Sequence, residues 1–239
     1  MPPEPAILAF DTSAAHCAAA VLLGGAIAAC RVEEMATGQA ERLMPMLEDV
    51  LAEAGAGWRD LGAVAVGTGP GNFTGVRIAV AAARGLALAL AVPAAGVSGF
   101  RVLAAGGAAG GAADTAAGGP LLVTLPAPRG MVHAAVLADG AEGAPFLLDP
   151  AAPGLPAGLP PGLPGFARPL RVAGSHGAAI GAALGLPGED RAVRPAPELI
   201  ARLAAQSLAA GAALPRPAPV YVRPPDAALP ATPPPVILP

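Results

Sequence analysis

Residues 67–77, GTGPGNFTGVR, place four glycines and a proline in eleven residues, between an apolar run and an Ala-rich one. The run before them, GAVAVG (62–67), has the small and β-branched character of a buried strand. The run after them, from Gly75 to about Ala91, meets no breaker until Pro93 and reads as a helix. A strand passing through a Gly-rich loop into a helix commits the chain to an α/β architecture. Thr74 is the expected N-cap of that helix. Free N–H groups at such a helix start favour an anion, and glycines let a ligand approach the backbone. The same residues also suit a plain tight connection in which Gly serves only the backbone angles.

The elements around this loop extend the pattern. AILAFDT (6–12) reads as a buried strand ending in the polar triplet Asp11-Thr12-Ser13. Residues 15–23 and 26–34 read as strands joined at Gly24-Gly25, a two-residue hairpin turn. Pairing Leu23 with Ala26 sets Ala19 opposite Cys30 and Cys17 a diagonal step away, two reduced thiols on one sheet face. Residues 38–54 form an amphipathic helix, with Leu43, Met46, Leu47, Val50, Leu51 and Ala54 along one stripe. Pro45 should kink it or mark its first turn. With a strand at 94–98, the first hundred residues run β-β-β-α-β-α-β. Two strands flank residues 127–130, followed by a strand at 170–174, helices at 176–185 and 197–210, and a last strand from Val220 to Arg223.

These elements divide the chain into a first subdomain, 1–103, and a second, 120–224. Between them 104–119 is a linker or frayed helix. The Pro/Gly run 150–165 is an insert within the second, and 225–239 a disordered tail. All three stretches are expected to be mobile, since they bury too little to offset ordering entropy.

Composition removes whole classes of function. The hydrophobic fraction of 54 % supports a real core, but only 3 % of residues are aromatic, so small side chains must build it. All 14 basic residues are Arg, which excludes a GxxxxGK phosphate loop and a Schiff-base lysine. A net charge of −3 offers no basic surface for autonomous nucleic-acid binding. Cys17 and Cys30 make no disulfide framework, and His16, His133 and His176 make no local metal motif. The N-terminus shows no secretory pattern, and Arg84 and Pro93 make the apolar stretch Ile78 to Val97 a buried helix rather than a membrane span. The expected location is the cytoplasm.

Three features bear on chemistry. Asp11, Thr12 and Ser13 end the first strand, where a carboxylate can hold a hydrated cation and hydroxyls can touch a phosphate; they also suit an ordinary turn. With Gly69, Gly71 and Thr74 they are the candidate residues for a nucleotide or anion site. Arg77 opposes its helix dipole in the first turn and should find an anionic partner, most simply a carboxylate. The helix at 75–91 is apolar almost all round, so it needs cover beyond its own sheet, either from a partner protein or from the helix at 38–54 within the chain. Leu43, Met44, Leu47, Ala79, Ala83 and Ala87 are the expected contacts with a partner protein.

Together AILAFDTS, QAERLMPMLEDVLAEAG, LGAVAVGTGPGNFTGVRIAVAAARGLALAL and VPAAGVSGF resemble the TsaB family of bacterial tRNA threonylcarbamoyladenosine biosynthesis proteins. These are also described as glycoprotease-like, M22-type non-peptidases. GPGNFTGVR is similar to that family's GPGSFTGLR, and LLVTLPAPRGMVHAAVL, RVAGSHGAAIG and PVYVRPP look like its C-terminal markers. The resemblance implies an actin/sugar-kinase/Hsp70-like (ASKHA) fold of two similar subdomains, each with a mixed sheet and flanking helices. It implies a non-catalytic subunit that pairs through its two N-terminal helices with TsaD, the catalytic relative modifying adenosine 37 of tRNA. A TsaE-like ATPase joins the assembly, and tRNA is met only through it. The same helix surface would be self-complementary and would close a homodimer of the chain alone, and no cofactor is expected beyond weak ATP or ADP binding. Where TsaD carries metal-binding histidines, this chain has Gly96 to Leu103 without His. Gln39-Ala40-Glu41-Arg42 and Pro126-Ala127-Pro128-Arg129 depart from the family's His-Ser-Glu-Arg and Asp-Ala-Arg. An alternative is an ASKHA-type ATPase or phosphotransferase using Asp11 and the 67–75 loop. A peptidase lacks a nucleophile–histidine pair or metal motif.

Overall fold

The computed structural model describes residues 6–106, 119–155, 170–211 and 216–222. Its first sheet grows from the apolar runs of the N-terminal third. β1 (Ala6–Asp11), β2 (His16–Leu23) and β3 (Ala26–Glu34) form an antiparallel meander. β4 (Leu61–Gly67) and β5 (Ala94–Val97) add in parallel beyond β1, giving the order β3-β2-β1-β4-β5. Parallel neighbours need a crossover, which α2 (Phe73–Leu90) provides between β4 and β5. α1 (Gln39–Glu53) lies between β3 and β4 in the chain.

The second half repeats the plan. β6 (Leu121–Pro126) and β7 (Val132–Ala138) pair antiparallel, and β8 (Ala141–Glu142) and β9 (Phe146–Leu148) both add to β7. β10 (Arg171–Gly174) and β11 (Gly188–Asp190) add in parallel beyond β6, with α4 (Gly177–Leu184) between them. The order β8-β7-β6-β10-β11 therefore matches β3-β2-β1-β4-β5 in position and direction. This duplicated mixed sheet with flanking helices is the actin/sugar-kinase/Hsp70-like architecture that the family resemblance implied.

Each repeat ends in a helix that crosses to the other sheet. α3 (Gly99–Ala105) follows β5 but buries Phe100, Leu103 and Ala104 among Val123, Leu125 and Ala135 of the second sheet. α5 (Pro197–Ala209) follows β11 but buries Ile200, Ala201 and Ala204 among Ala9, Ala63 and Ala65 of the first. Segments 1–103 and 120–224 thus exchange their last helices, and neither core is complete alone. On the opposite face of the first sheet, Leu43, Met46, Leu47 and Val50 of α1 and Ala79 and Ala83 of α2 close over Leu8, Phe10, Val64 and Val66. Arg42 clasps Glu33 of β3 through Nε and a terminal nitrogen at 2.7 and 2.6 Å, and Arg31 of β3 reaches Asp49 at 2.9 Å. Alanines at full burial in the sheet centre let the helices sit close, so little aromatic volume is needed.

Several local expectations need correction. A bulge between Val21 and Leu22 shifts the hairpin register, so Ala20 rather than Ala19 opposes Cys30. The one-residue slip turns Cys30 to the other side of the sheet. Cys17 is buried, its thiol pushed up to about 11 chiefly by burial, whereas Cys30 is exposed beside Glu198. Pro45 sits inside α1, past the first turn, and the helix continues through it on the strength of its buried stripe. α2 starts at Phe73, and Asn72, not Thr74, caps it by accepting the N–H groups of Thr74 and Gly75, both at 3.0 Å. α3 was not foreseen. Residues 220–222 form no strand, although the Val220 N–H donates to the Thr68 carbonyl at 2.9 Å. Of the stretches expected to be mobile, 107–118, 156–165 and 225–239 lie outside the described residues, as does Arg223.

Candidate functional site

The end of β1 and the start of α2 are pressed together. Asp11 Oδ1 accepts the Ser13 N–H at 2.9 Å, and Oδ2 accepts the Ser13 hydroxyl at 2.9 Å. His16 Nε2 lies 3.1 Å from the same Oδ2 and is buried. The buried Thr12 hydroxyl donates to the Gly75 carbonyl at 2.7 Å, and the Asn72 N–H donates to the Ser13 carbonyl at 2.6 Å. A Cβ on Gly67 would meet the Asp11 carboxylate. On Gly71 or Gly75 it would meet the carbonyl oxygen of Ser13 or Thr12, in each case inside 3.0 Å. Three of the loop's glycines are therefore required by this chain's own backbone and by Asp11. With Asn72 capping α2, two of the helix's leading N–H groups are already engaged.

A cleft of about 650 Å³ opens beside this contact, between the subdomains. Of the residues picked out in the sequence, Asp11, Ser13, Gly69 and Gly71 line it, together with His16 and Glu34. Thr12 and Thr74 do not line it. Val102, Leu125 and Leu199 form an apolar wall contributed by α3, β6 and α5. His16 and Glu34 were not recognised as site residues. They face each other across β2 and β3, so correct pairing of those strands would have set both beside Asp11. Chemically the floor is acidic and self-satisfied. Ser13 and His16 both engage one carboxylate, so the hydroxyl is not aimed at the imidazole and no Ser–His–Asp relay exists here. Among the described residues no group of three His, Cys, Asp or Glu side chains is placed to hold a metal ion.

Across the mouth of α3 a polar contact joins the subdomains. Ser98 caps α3, accepting the Arg101 N–H at 3.2 Å, while its hydroxyl donates to the Glu142 carboxylate. An Arg101 terminal nitrogen donates to the Gly140 carbonyl. Burial raises the Glu142 carboxyl above its ordinary range, against the opposing pull of the Ser98 hydrogen bond and the Arg101 charge. A native state that holds its proton more tightly than the unfolded chain loses stability as pH rises through that window. Glu142→Gln keeps the acceptor for Ser98 and removes the charge. Its urea-unfolding free energy should exceed that of wild type at pH 7, and the two should converge as pH falls below the ordinary carboxylate range.

The six residues expected to meet a partner separate into two groups. Leu43, Leu47, Ala79 and Ala83 are buried in the chain's own core under α1 and α2, because the helices set that face against the sheet. Met44 is exposed and Ala87 half-buried. The outer surface of α2 is instead Ala81, Gly85, Leu88 and Ala89, with Leu88 84 % exposed. α2 is long and apolar enough to cross a membrane, with a mean hydropathy of 1.5, yet only 28 % of it is buried. Within the chain it is buried on one side: its inner face packs on the sheet, and its outer face has no cover among the described residues. Arg77 has no carboxylate partner there either: its guanidinium lies 3.6 Å above the Phe73 ring, and Nε donates to the Tyr221 hydroxyl at 2.8 Å.

Residues 33–140 match the family model of TsaD, tRNA N6-adenosine threonylcarbamoyltransferase. The tRNA threonylcarbamoyladenosine biosynthesis protein TsaB of Escherichia coli is 35 % identical over 100 residues, 42 % of this chain and 43 % of that protein. The Bacillus subtilis TsaB is 36 % identical over 101 residues, 42 % and 44 % of the two chains. The matched region thus spans less than half the length of these curated relatives. A crystal structure from Pseudomonas aeruginosa, of an uncharacterised protein with similarity to peptidase YeaZ, superposes with a TM-score of 0.65 at 30 % identity, covering 92 % of this chain and 100 % of that one. YeaZ from the same organism superposes with a TM-score of 0.64 at 29 % identity, covering 91 % and 100 %.

Proposed function

The chain belongs to the TsaB family, and from that premise we propose that it is a non-catalytic subunit in the synthesis of N6-threonylcarbamoyladenosine at adenosine 37 of tRNA. It pairs with a TsaD-like catalytic subunit and activates it. The observation that carries this reading is the outer face of α2, an apolar helix surface in a chain whose residues 33–140 match the family model of the catalytic relative. A helix apolar on all sides needs burial on more than its sheet side, and a partner helix pair is a fitting cover. The small residues Ala81, Gly85 and Ala89 allow close approach. The self-satisfied floor around Asp11 supports a subunit that scaffolds rather than catalyses.

In this reading a TsaE-like ATPase joins the complex, tRNA is met only through it, and the work is done in the cytoplasm. The same face closes a homodimer when the catalytic partner is absent. The chain needs no cofactor of its own. ATP or ADP entering the cleft binds weakly, because Asp11 and Glu34 place carboxylates in its lining and Arg194, the arginine that lines it, is paired with Glu198. Co-purification with the TsaD-like subunit of the same genome, and tRNA modification reconstituted with and without this chain, test the proposal. Heterodimer formation and modification only in its presence are expected. ATP turnover by the isolated chain near ~1 per second, abolished by Asp11→Ala, would instead support the ATPase reading.

A further inference from the structure

We infer that Arg77 is the anchor by which α2 receives a carboxylate of its partner protein, a reading that rests on the proposed heterodimer. Arg77 and Arg84 are the only charged residues of α2, and each is tied to the segment 216–222. Arg84 Nε donates to the Pro217 carbonyl at 2.6 Å, and Arg77 Nε to the Tyr221 hydroxyl. The Arg77 guanidinium is stacked on Phe73 and lies 5.6 Å from the centroid of Tyr221, and those two rings are 5.6 Å apart. This assembly fixes the plane of an exposed guanidinium and occupies its Nε edge. The two terminal nitrogens take no acceptor among the described residues. They form a rigid fork that suits a planar, two-oxygen anion, and little side-chain entropy is left to lose on binding it.

The position of the fork says what kind of anion it meets. Arg77, Ala81, Gly85 and Leu88 recur at helical spacing and are all exposed, so the fork heads the apolar stripe already assigned to the partner. Phe73 and Tyr221, 48 % and 47 % exposed, flank it. Exposed aromatics around an arginine, continuous with an apolar strip, have the composition of a protein–protein hot spot. A nucleic-acid phosphate is the poorer fit. Phosphate binding recruits several cations, whereas Arg84 is spent on a backbone carbonyl and the chain is net −3.

The test is the affinity for the TsaD-like subunit of the same genome, measured by calorimetry with full-length chains. Arg77→Gln should weaken binding by about 30-fold or more, mainly through faster dissociation, and Arg77→Lys should not restore it. Arg77→Glu should lose binding and regain it when one partner Asp or Glu is changed to Arg. Scanning the partner's Asp and Glu residues to Asn or Gln against the unaltered chain gives the same information without touching this fold, and one such change should reproduce the loss. If Leu88→Glu abolishes binding while Arg77→Gln and every partner change leave it intact, the inference is overturned and the heterodimer reading stands. If Leu88→Glu is also without effect, the α2 face itself is wrong. If Arg77→Gln spares the heterodimer but lowers tRNA retention by the assembled complex, the anion is a phosphate and the carboxylate assignment fails.

Discussion

Ala83→Glu should unfold the chain, whereas Leu88→Glu, five positions along the same helix, should leave it as stable as wild type. Ala83 has no exposed surface and lies in the core that joins α1, α2 and the first sheet. A glutamate there must either bury a charge or displace packed side chains, a cost of several kcal/mol against a total stability of about 5–15 kcal/mol. Leu88 is 84 % exposed, so its replacement should change stability by no more than about 0.5 kcal/mol. Urea unfolding followed by circular dichroism measures both. A cooperative transition for Ala83→Glu near the wild-type midpoint would show that α2 presents a different face to the sheet. The contrast matters because a probe at Ala83 reports on the core, and only one at Leu88 reports on a partner.

Gly75→Ala should cost about 3 kcal/mol or more, near the upper end for a single methyl group. The added carbon would fall on the Thr12 carbonyl oxygen, and the collision is with backbone, which no rotamer can relieve. It would also strain the Thr12 hydroxyl bond to the Gly75 carbonyl. Gly85→Ala is the control. No atom lies within 4 Å of the site of its Cβ, and replacing glycine in a helix interior should stabilise by about 0.5–1 kcal/mol. If the two substitutions shift the unfolding midpoint in the same direction, the close approach of β1 and α2 is not as described.

How far the sequence carried follows from the range of the interactions. The hairpin was legible because Gly24 and Gly25, at φ of 56° and 77°, are the residues a tight turn requires. The stripe of α1 was legible because its apolar spacing is local. The bulge at Val21 was not, since one extra residue changes register without changing composition. α3 was missed because it is seven residues long and its apolar side chains serve the other subdomain. In α2, Ala79 and Ala83 are buried while Ala81 and Ala89 are exposed. Alanines on both sides of the helix carry no mark of which side meets the sheet. The glycine loop pointed equally to an anion and to tight packing, because the carbonyls that fill the space belong to Thr12 and Ser13, some sixty residues away. Arg77 was seen to need a partner, but Tyr221 lies 144 positions further on. At the site itself, Asp11 and the loop were readable from type and spacing, whereas His16 and Glu34 needed strand register.

The central claim is that the uncovered face of α2 is where a TsaD-like subunit binds. The most direct measurement is the dissociation constant of that heterodimer for wild type and for Leu88→Glu, with unfolding curves of both chains taken alongside. The account predicts that Leu88→Glu folds normally and loses at least about a hundredfold in affinity, as a charge placed in an apolar interface core should. A folded Leu88→Glu chain that binds the TsaD-like subunit as tightly as wild type would contradict it.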